Sequence, residues 1–377
     1  MESSTTYTGL SPESGTPIAV TVADGLIRKI EPQPGASVAT WISPGWIDLQ
    51  VNGFAGVDYN STTTTTEQIG RSIQVQRKTG VTRLLPTVIT GDLGEMAACL
   101  ANLVRAKGEL AEGASIAGFH VEGPWISAED GPRGAHPLEH VRPASVEEFK
   151  RLQDAGAGLV RLLTLAPEST GALALIEYAA ESGVIVSIGH TGATNEQIDD
   201  AVSAGATMTT HLGNGAHTVL PKGSNYILRQ MADDRLFAGL IVDGIHLSPE
   251  FVKIAVRAKG PQRAFLVTDA VAPAGCEPGL HQLGSQQVRL SADGSVRLPD
   301  GRLSGSSLRM DEAVENVMRF AGIGVEQAVR MASVNAAQAI ALEERNGFLN
   351  VGDPAELVLF TLSAEGRLAV TDVVSQE

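Results

Sequence analysis

Apolar and polar positions alternate in blocks along the middle of the chain. Between residues 41 and 270, eight short apolar or β-rich runs occur, at 41–51, 84–88, 116–121, 159–165, 184–188, 207–211, 237–242 and 264–268. Segments between them, at 67–79, 95–107, 146–155, 172–182 and 196–204, show helical spacing or composition, and several end on glycine, a frequent helix stop. That alternation predicts parallel strands joined by crossover helices. Eight such units make a barrel. An open doubly wound sheet would ordinarily carry a glycine-rich phosphate turn after its first strand, and no G-x-G-x-x-G stands there.

The two ends of the chain follow a different period. Residues 18–30 alternate apolar and polar around Asp24-Gly25, which predicts a hairpin. Residues 347–361 and 367–374 read as strands after a helical stretch at 325–342. The expected fold is therefore α/β, a TIM-like (β/α)8 barrel with a small β-sandwich domain built from both termini. Residues 1–43 and 347–377 form the accessory domain and 44–346 the barrel. A further hairpin is expected at 288–298 around Asp293-Gly294, and the threonine run 62–66 reads as a solvated loop or a helix cap.

Composition narrows the function classes. In 377 residues the hydrophobic fraction is 43% and the charged fraction 19%, which excludes a disordered or fibrous chain. The net charge of −15 repels phosphate backbones and anionic lipid, so neither nucleic acid nor a membrane is an expected partner. Two cysteines, Cys99 and Cys276, cannot build a disulfide framework or a thiolate-rich zinc site, and a reducing compartment fits them. Residues 1–15 lack the basic start and apolar run of a secretory signal, and no apolar stretch reaches the roughly 18 residues of a membrane span. These features point to a cytoplasmic protein.

In a parallel barrel the open face lies at the C-terminal ends of the strands. Unusual polar residues gather there: Gln50 and Asn52 at the end of the first run, Glu122 at the end of the third, His190 of the fifth, His211 of the sixth, Asp243 and His246 of the seventh, Asp269 of the eighth. An unpaired buried charge costs several kcal/mol, and a metal ion would resolve that cost. Glu122, His190 and His211 supply one carboxylate and two imidazoles, the ligand set of hydrolytic zinc sites that keep a position open for water. A single histidine is more often a hydrogen-bonded core side chain, but three candidates on one rim favour a ligand set. Asp269 beside a metal-bound water could accept a proton and later pass it to a leaving amine, although an N-cap or a salt-bridged loop aspartate fits the same residue. Asp243 reads as a turn residue and His246 as a substrate contact. His120 suits support or packing, His140 and His281 lie in loop-like sequence, and His217 suits either a substrate contact or a loop role.

Eight motifs in order then resemble the N-acetylglucosamine-6-phosphate deacetylases of the amidohydrolase superfamily. They are Pro44-Gly45-Trp46-Ile47-Asp48-Leu49-Gln50-Val51-Asn52-Gly53, His120-Val121-Glu122-Gly123-Pro124-Trp125, Gly134-Ala135-His136 and Gly189-His190-Thr191-Gly192-Ala193-Thr194, followed by Thr210-His211-Leu212-Gly213-Asn214, Asp243-Gly244-Ile245-His246, Thr268-Asp269-Ala270 and Leu303-Ser304-Gly305-Ser306-Ser307-Leu308. The resemblance implies the barrel with its terminal sandwich and removal of an N-acetyl group from a phosphorylated amino sugar. It implies a divalent ion on Glu122, His190 and His211, with Asp269 as general acid/base. It also implies substrate contacts at Ala135, His136, Asn214, Gly215, His246, Leu303, Ser304 and Gly305, and a homodimer.

Two departures from the family pattern matter. Gln50-Val51-Asn52 stands where many amidohydrolases have His-x-His, so one metal is expected rather than two; zinc is the first choice, with iron, cobalt and manganese also suited to these ligands. After Asn214 the sequence runs Gly215-Ala216-His217, and Lys222 stands where an arginine often grips the substrate phosphate, with Arg229 further on. Lysine binds phosphate as a point charge without the arginine fork, so a non-phosphorylated or different N-acyl amino sugar is the alternative substrate. A cyclic-amide hydrolase or amino-acid deacylase would more often show a two-metal pattern, and a catalytically silent binding protein would have lost a ligand or Asp269.

Overall fold

In a computed structural model, which describes residues 4–283, 286–342 and 347–375, the eight runs become eight neighbouring parallel strands. In chain order these barrel strands are Trp46–Val51, Val81–Ile89, Phe119–Glu122, Val160–Leu165, Ile185–Ile188, Ala206–Thr209, Phe237–Leu240 and Ala264–Leu266. Each pairs with the strand before and after it, and the ring is completed by a single bridge between Val51 and Ala270. At that seam Asp269 N donates to Gln50 O (2.9 Å) and Asn52 N to Ala270 O (2.7 Å). The strands are apolar on both faces because side chains fill the barrel and helices cover its outside. Ile47, Leu49, Leu84, Leu163 and Leu240 are all fully buried.

The crossover helices start where the sequence offers caps. Thr65 caps Thr66–Arg77 in a capping box with Gln68, which explains the threonine run, and Thr194 does the same for Asn195–Ser203 with Gln197. Asp92, Ser145 and Ser248 cap the helices Leu93–Glu109, Val146–Ala155 and Pro249–Lys259, respectively.

Four expectations are corrected in detail. The run 41–51 is two strands: Thr40–Pro44 joins the terminal sheet and Trp46–Val51 the barrel, with Gly45 between them. A Cβ on Gly45 would lie 2.1 Å from Thr82 Oγ1, so only glycine lets the chain pass there. The last three barrel strands stop earlier than expected, so His211, Asp243 and Asp269 stand in the loops just beyond them. Strand character in 347–361 is confined to Leu357–Leu362, and the stretch 325–342 is two helices, Val325–Ala332 and Val334–Ala339, broken at Ser333. The expected boundary at 346 abuts residues 343–346, which lie outside the described residues.

Both termini do meet. Thr5–Leu10, Pro17–Ala23, Leu26–Pro32, Thr40–Pro44, Leu357–Leu362 and Leu368–Val374 form one six-stranded sheet, with the expected hairpin turning at Asp24-Gly25. Its outer strand folds back onto the other half of the sheet: Ile27 N donates to Asp353 O (2.9 Å) and Gly352 N to Ile27 O (2.8 Å). Val20, Ile27, Ile42, Ala355 and Leu357 form a small core of their own between these parts. The hairpin expected at 288–298 is the centre of a four-stranded sheet, Gly279–Leu283, Gln286–Leu290, Ser295–Arg297 and Leu303–Ser306. Its last strand docks on the eighth barrel strand's exit, with Ser306 N donating to Asp269 O (3.0 Å). That contact brings residues 303–305 to the mouth of the barrel. Among the described residues no helix is long and apolar enough to cross a membrane.

Candidate active site

The buried carboxylate of Glu122, the last residue of the third barrel strand, is the centre of a polar cluster at the mouth of the barrel. His190 Nε2 and His211 Nε2 each lie 3.1 Å from Glu122 Oε1 and 3.1 Å from each other. His136 Nε2 lies 3.2 Å from His190 Nε2. Gln50 Nε2 donates to the same Glu122 oxygen (3.0 Å). Asp269 is held from the seam by Asn52, whose Nδ2 donates to Asp269 Oδ1 at 2.7 Å. These groups lie on or follow five different barrel strands, the first, third, fifth, sixth and eighth, so the cluster exists only in the closed ring.

The backbone at these positions is itself unusual. His190, His211 and Asp269 have φ of 50°, 28° and 49°, in the left-handed region that non-glycine residues rarely adopt. Such conformations cost about 1–3 kcal/mol each and persist where the surroundings over-determine them, most often at functional sites. Here they turn each side chain off the end of its strand and into the mouth. Gly215, φ 54°, passes so close that a Cβ would lie 2.6 Å from His190 Nδ1.

The donor set fits a divalent cation. His190 Nδ1 lies 2.9 Å from Pro132 O, the usual arrangement that leaves Nε2 free as a ligand atom. His211 Nδ1 and His136 Nδ1 are buried, with no hydrogen-bond partner among the described residues. Two overlapping triads share Glu122 and His190, one completed by His136 and the other by His211. The second is tighter, because His211 Nε2 touches both shared atoms. Burial alone would raise Glu122, yet His190 and His211 hold its carboxyl well below the usual carboxylate range. Burial and the neighbouring His190 push His136 down to about 3, so this ring is neutral. Burial and the Glu122 charge push Asp269 up to about 6 against the Asn52 hydrogen bond.

These residues line one cavity of about 1070 Å³. Ala135, His136, Asn214, Gly215, His246, Leu303, Ser304 and Gly305 are all among its lining residues. His246 is oriented by Asp243, whose Oδ2 lies 2.6 Å from His246 Nδ1 while Oδ1 accepts from the amides of Ile245 and His246. Asp243 is thus a turn residue that also aims a histidine. Lys222, expected at the phosphate, is exposed and is not among the residues that line the cavity. Arg229 is occupied by Asp199 and Asp233. The cavity's cations are instead Arg133, Arg297 and Arg302, which stand in no recognisable sequence motif; Arg302 Nη1 donates to Gly134 O (3.0 Å). His140 also lines the cavity, whereas His217 pairs with Glu129 and Tyr226, and His120 is buried against Thr164.

The amidohydrolase family profile matches residues 41–376, spanning the barrel and the returning C-terminal strands. The chain belongs to the amidohydrolase family. This amidohydrolase is 33% identical to an N-acetylglucosamine-6-phosphate deacetylase of Bacillus subtilis over 87% of its own length and 82% of that protein. It is 36% identical to the Bos taurus enzyme of the same name, over 86% and 81% of the two chains. A solved structure of a Mycobacterium smegmatis N-acetyl-D-glucosamine-6-phosphate deacetylase variant, in complex with N-acetyl-D-glucosamine-6-phosphate, superposes with a TM-score of 0.89 at 29% identity, covering 99% and 98% of the chains. Amidohydrolases depend on metal, and the described residues of this one include a group able to hold it.

Proposed function

We propose that this amidohydrolase removes the acetyl group of N-acetylglucosamine 6-phosphate, giving glucosamine 6-phosphate and acetate. The observation that carries the reading is the convergence of Glu122, His190 and His211 within 3.1 Å, in one cavity with Asp269. The names of its relatives support the substrate. Glu122, His190 and His211 would hold a single divalent cation, zinc first, with Gln50 and Asn52 occupied in hydrogen bonds rather than ligation. When bound, the cation supplies Lewis acidity, which lowers the pKa of water and polarises the amide carbonyl.

The chain's own groups do the rest. Asp269, oriented by Asn52, takes the proton of the attacking water and delivers it to the amine nitrogen as the C–N bond breaks. A carboxyl near 6 suits both halves of that task. Neutral His136 donates an N–H toward the oxygen on which negative charge develops. His246, Asn214 and residues 303–305 position the sugar. The proposal includes a homodimer in the cytoplasm, and light scattering at working concentration checks the first part: a monomer mass would overturn it.

Acetate release from N-acetylglucosamine with and without the 6-phosphate, on enzyme of defined metal content, tests the reaction. Faster release from the phosphorylated sugar is expected. Equal rates would favour the second reading, a non-phosphorylated N-acyl amino sugar, which the position of Lys222 outside the cavity supports. Asp269→Asn should nearly abolish turnover while metal stays bound, and full activity in that variant would overturn the assignment.

A further inference from the structure

Asp48 lies on the first barrel strand, is fully buried, and takes no part in the chemistry above. Its carboxylate accepts from Thr268 Oγ1 (2.5 Å), Thr268 N (3.2 Å) and Gln50 N (3.3 Å). Each partner leads into the site. Gln50 Nε2 donates to Glu122 Oε1 and Gln50 O accepts from Asp269 N. Thr268 directly precedes Asp269, its hydroxyl accepts from Ala270 N (3.2 Å), and its carbonyl accepts from Ser306 Oγ (2.5 Å).

The first and eighth barrel strands meet here through one isolated bridge rather than a ladder, so backbone pairing holds the segment that carries Asp269 at only a few points: Asp269 N to Gln50 O, Asn52 N to Ala270 O and Ser306 N to Asp269 O. Asp269 nevertheless holds a φ of 49°, which needs surroundings that leave it no alternative. A carboxylate buried in a barrel core costs several kcal/mol of desolvation, and an apolar side chain would avoid that cost if only packing were required. Asp48 instead joins the two sides of the seam, at Gln50 on the first strand and at Thr268 after the eighth.

We infer that Asp48 is a positioning residue, which ties Thr268 to Gln50 across the seam and thereby fixes the backbone from which Asp269 projects. The inference rests on Asp269 as the proton carrier.

The test compares Asp48→Asn, Thr268→Val, Thr268→Ser and the Asp48→Asn/Thr268→Val double variant as metal-loaded holoenzymes, with Asp269→Asn as the control. Asp48→Asn and Thr268→Val are expected to lower kcat about 10- to 100-fold, the usual effect of losing a group that orients a reacting one, with KM and metal content unchanged. Thr268→Ser, which keeps the hydroxyl, should recover most of the rate, and the double variant should be no worse than the poorer single. Wild-type kcat in folded Thr268→Val, additive losses in the double variant, or equal losses in Ser and Val would overturn the inference. If Asp48→Asn does not fold, the Thr268 pair decides alone. An active Asp269→Asn would defeat the assignment of the proton carrier itself, whereas an inactive Asp269→Asn beside a fully active Thr268→Val would defeat only the role of Asp48.

Discussion

His136 and His211 compete for the same neighbourhood, and their different contacts separate their roles. His211 Nε2 touches both Glu122 and His190, whereas His136 Nε2 approaches His190. His211→Ala should therefore lose bound metal by elemental analysis, and His136→Gln should keep it while losing kcat. The reverse pattern would move the third ligand to His136. Asp48 offers a pH test. Burial raises its carboxyl from 3.8 to about 7 against the Thr268 and Gln50 hydrogen bonds. A carboxyl whose folded value is raised binds its proton more tightly in the folded chain. Its contribution to stability is thus fully present below pH 3.8 and is lost as pH rises through about 7. Urea unfolding of wild type against Asp48→Asn should show wild type losing relative stability from about pH 4 to about pH 7, and parallel profiles would contradict the buried charge. Glu122, His190, His211 and Asp269 were legible in the sequence because polar groups at the ends of apolar strands have few structural uses. Arg133 and Arg302 were not, because an arginine in a loop has no pattern until the loop has a place.

At the scale of elements, the barrel and the terminal sheet are tied by a buried ion pair. Arg83 Nε, on the second barrel strand, lies 2.7 Å from Glu356 Oε1, just before Leu357–Leu362, and Thr82 Oγ1 donates to Glu356 Oε2 (2.9 Å). Glu356→Gln would leave Arg83 buried without its counter-charge and should destabilise the fold by about 3–5 kcal/mol in denaturant titration. A change below about 1 kcal/mol would mean that the pair is hydrated, as exposed pairs are. The helix starts were readable because caps act locally: Thr65 and Thr194 need only the amides three residues on. The split at Gly45 was not readable. Residues 41–51 are continuously strand-like, and only their partners, Leu357–Leu362 for Thr40–Pro44 and Val81–Ile89 for Trp46–Val51, assign the two halves to different sheets.

For the whole molecule, Glu122, His190 and His211 arrive from the third, fifth and sixth strands, so a cation held by them as proposed would cross-link the ring. Removing metal with a chelator should lower the unfolding midpoint and restoring it should raise it, by about 2.7 kcal/mol of stability at a hundredfold excess over Kd. The effect should vanish in His190→Ala; its persistence there would place the ion elsewhere. The amino-acid sequence by itself determined the barrel, the joining of both ends, and the residue types of the site, because periodicity, caps and misplaced charge are properties of short stretches. Tertiary structure alone decided that Lys222 stands outside the cavity, that Asp48 reaches Thr268 across the seam, and that His136 shares the cluster. Those facts depend on which loops and strands become neighbours when the ring closes, and contacts between residues as distant as 48 and 268 leave no trace in local spacing.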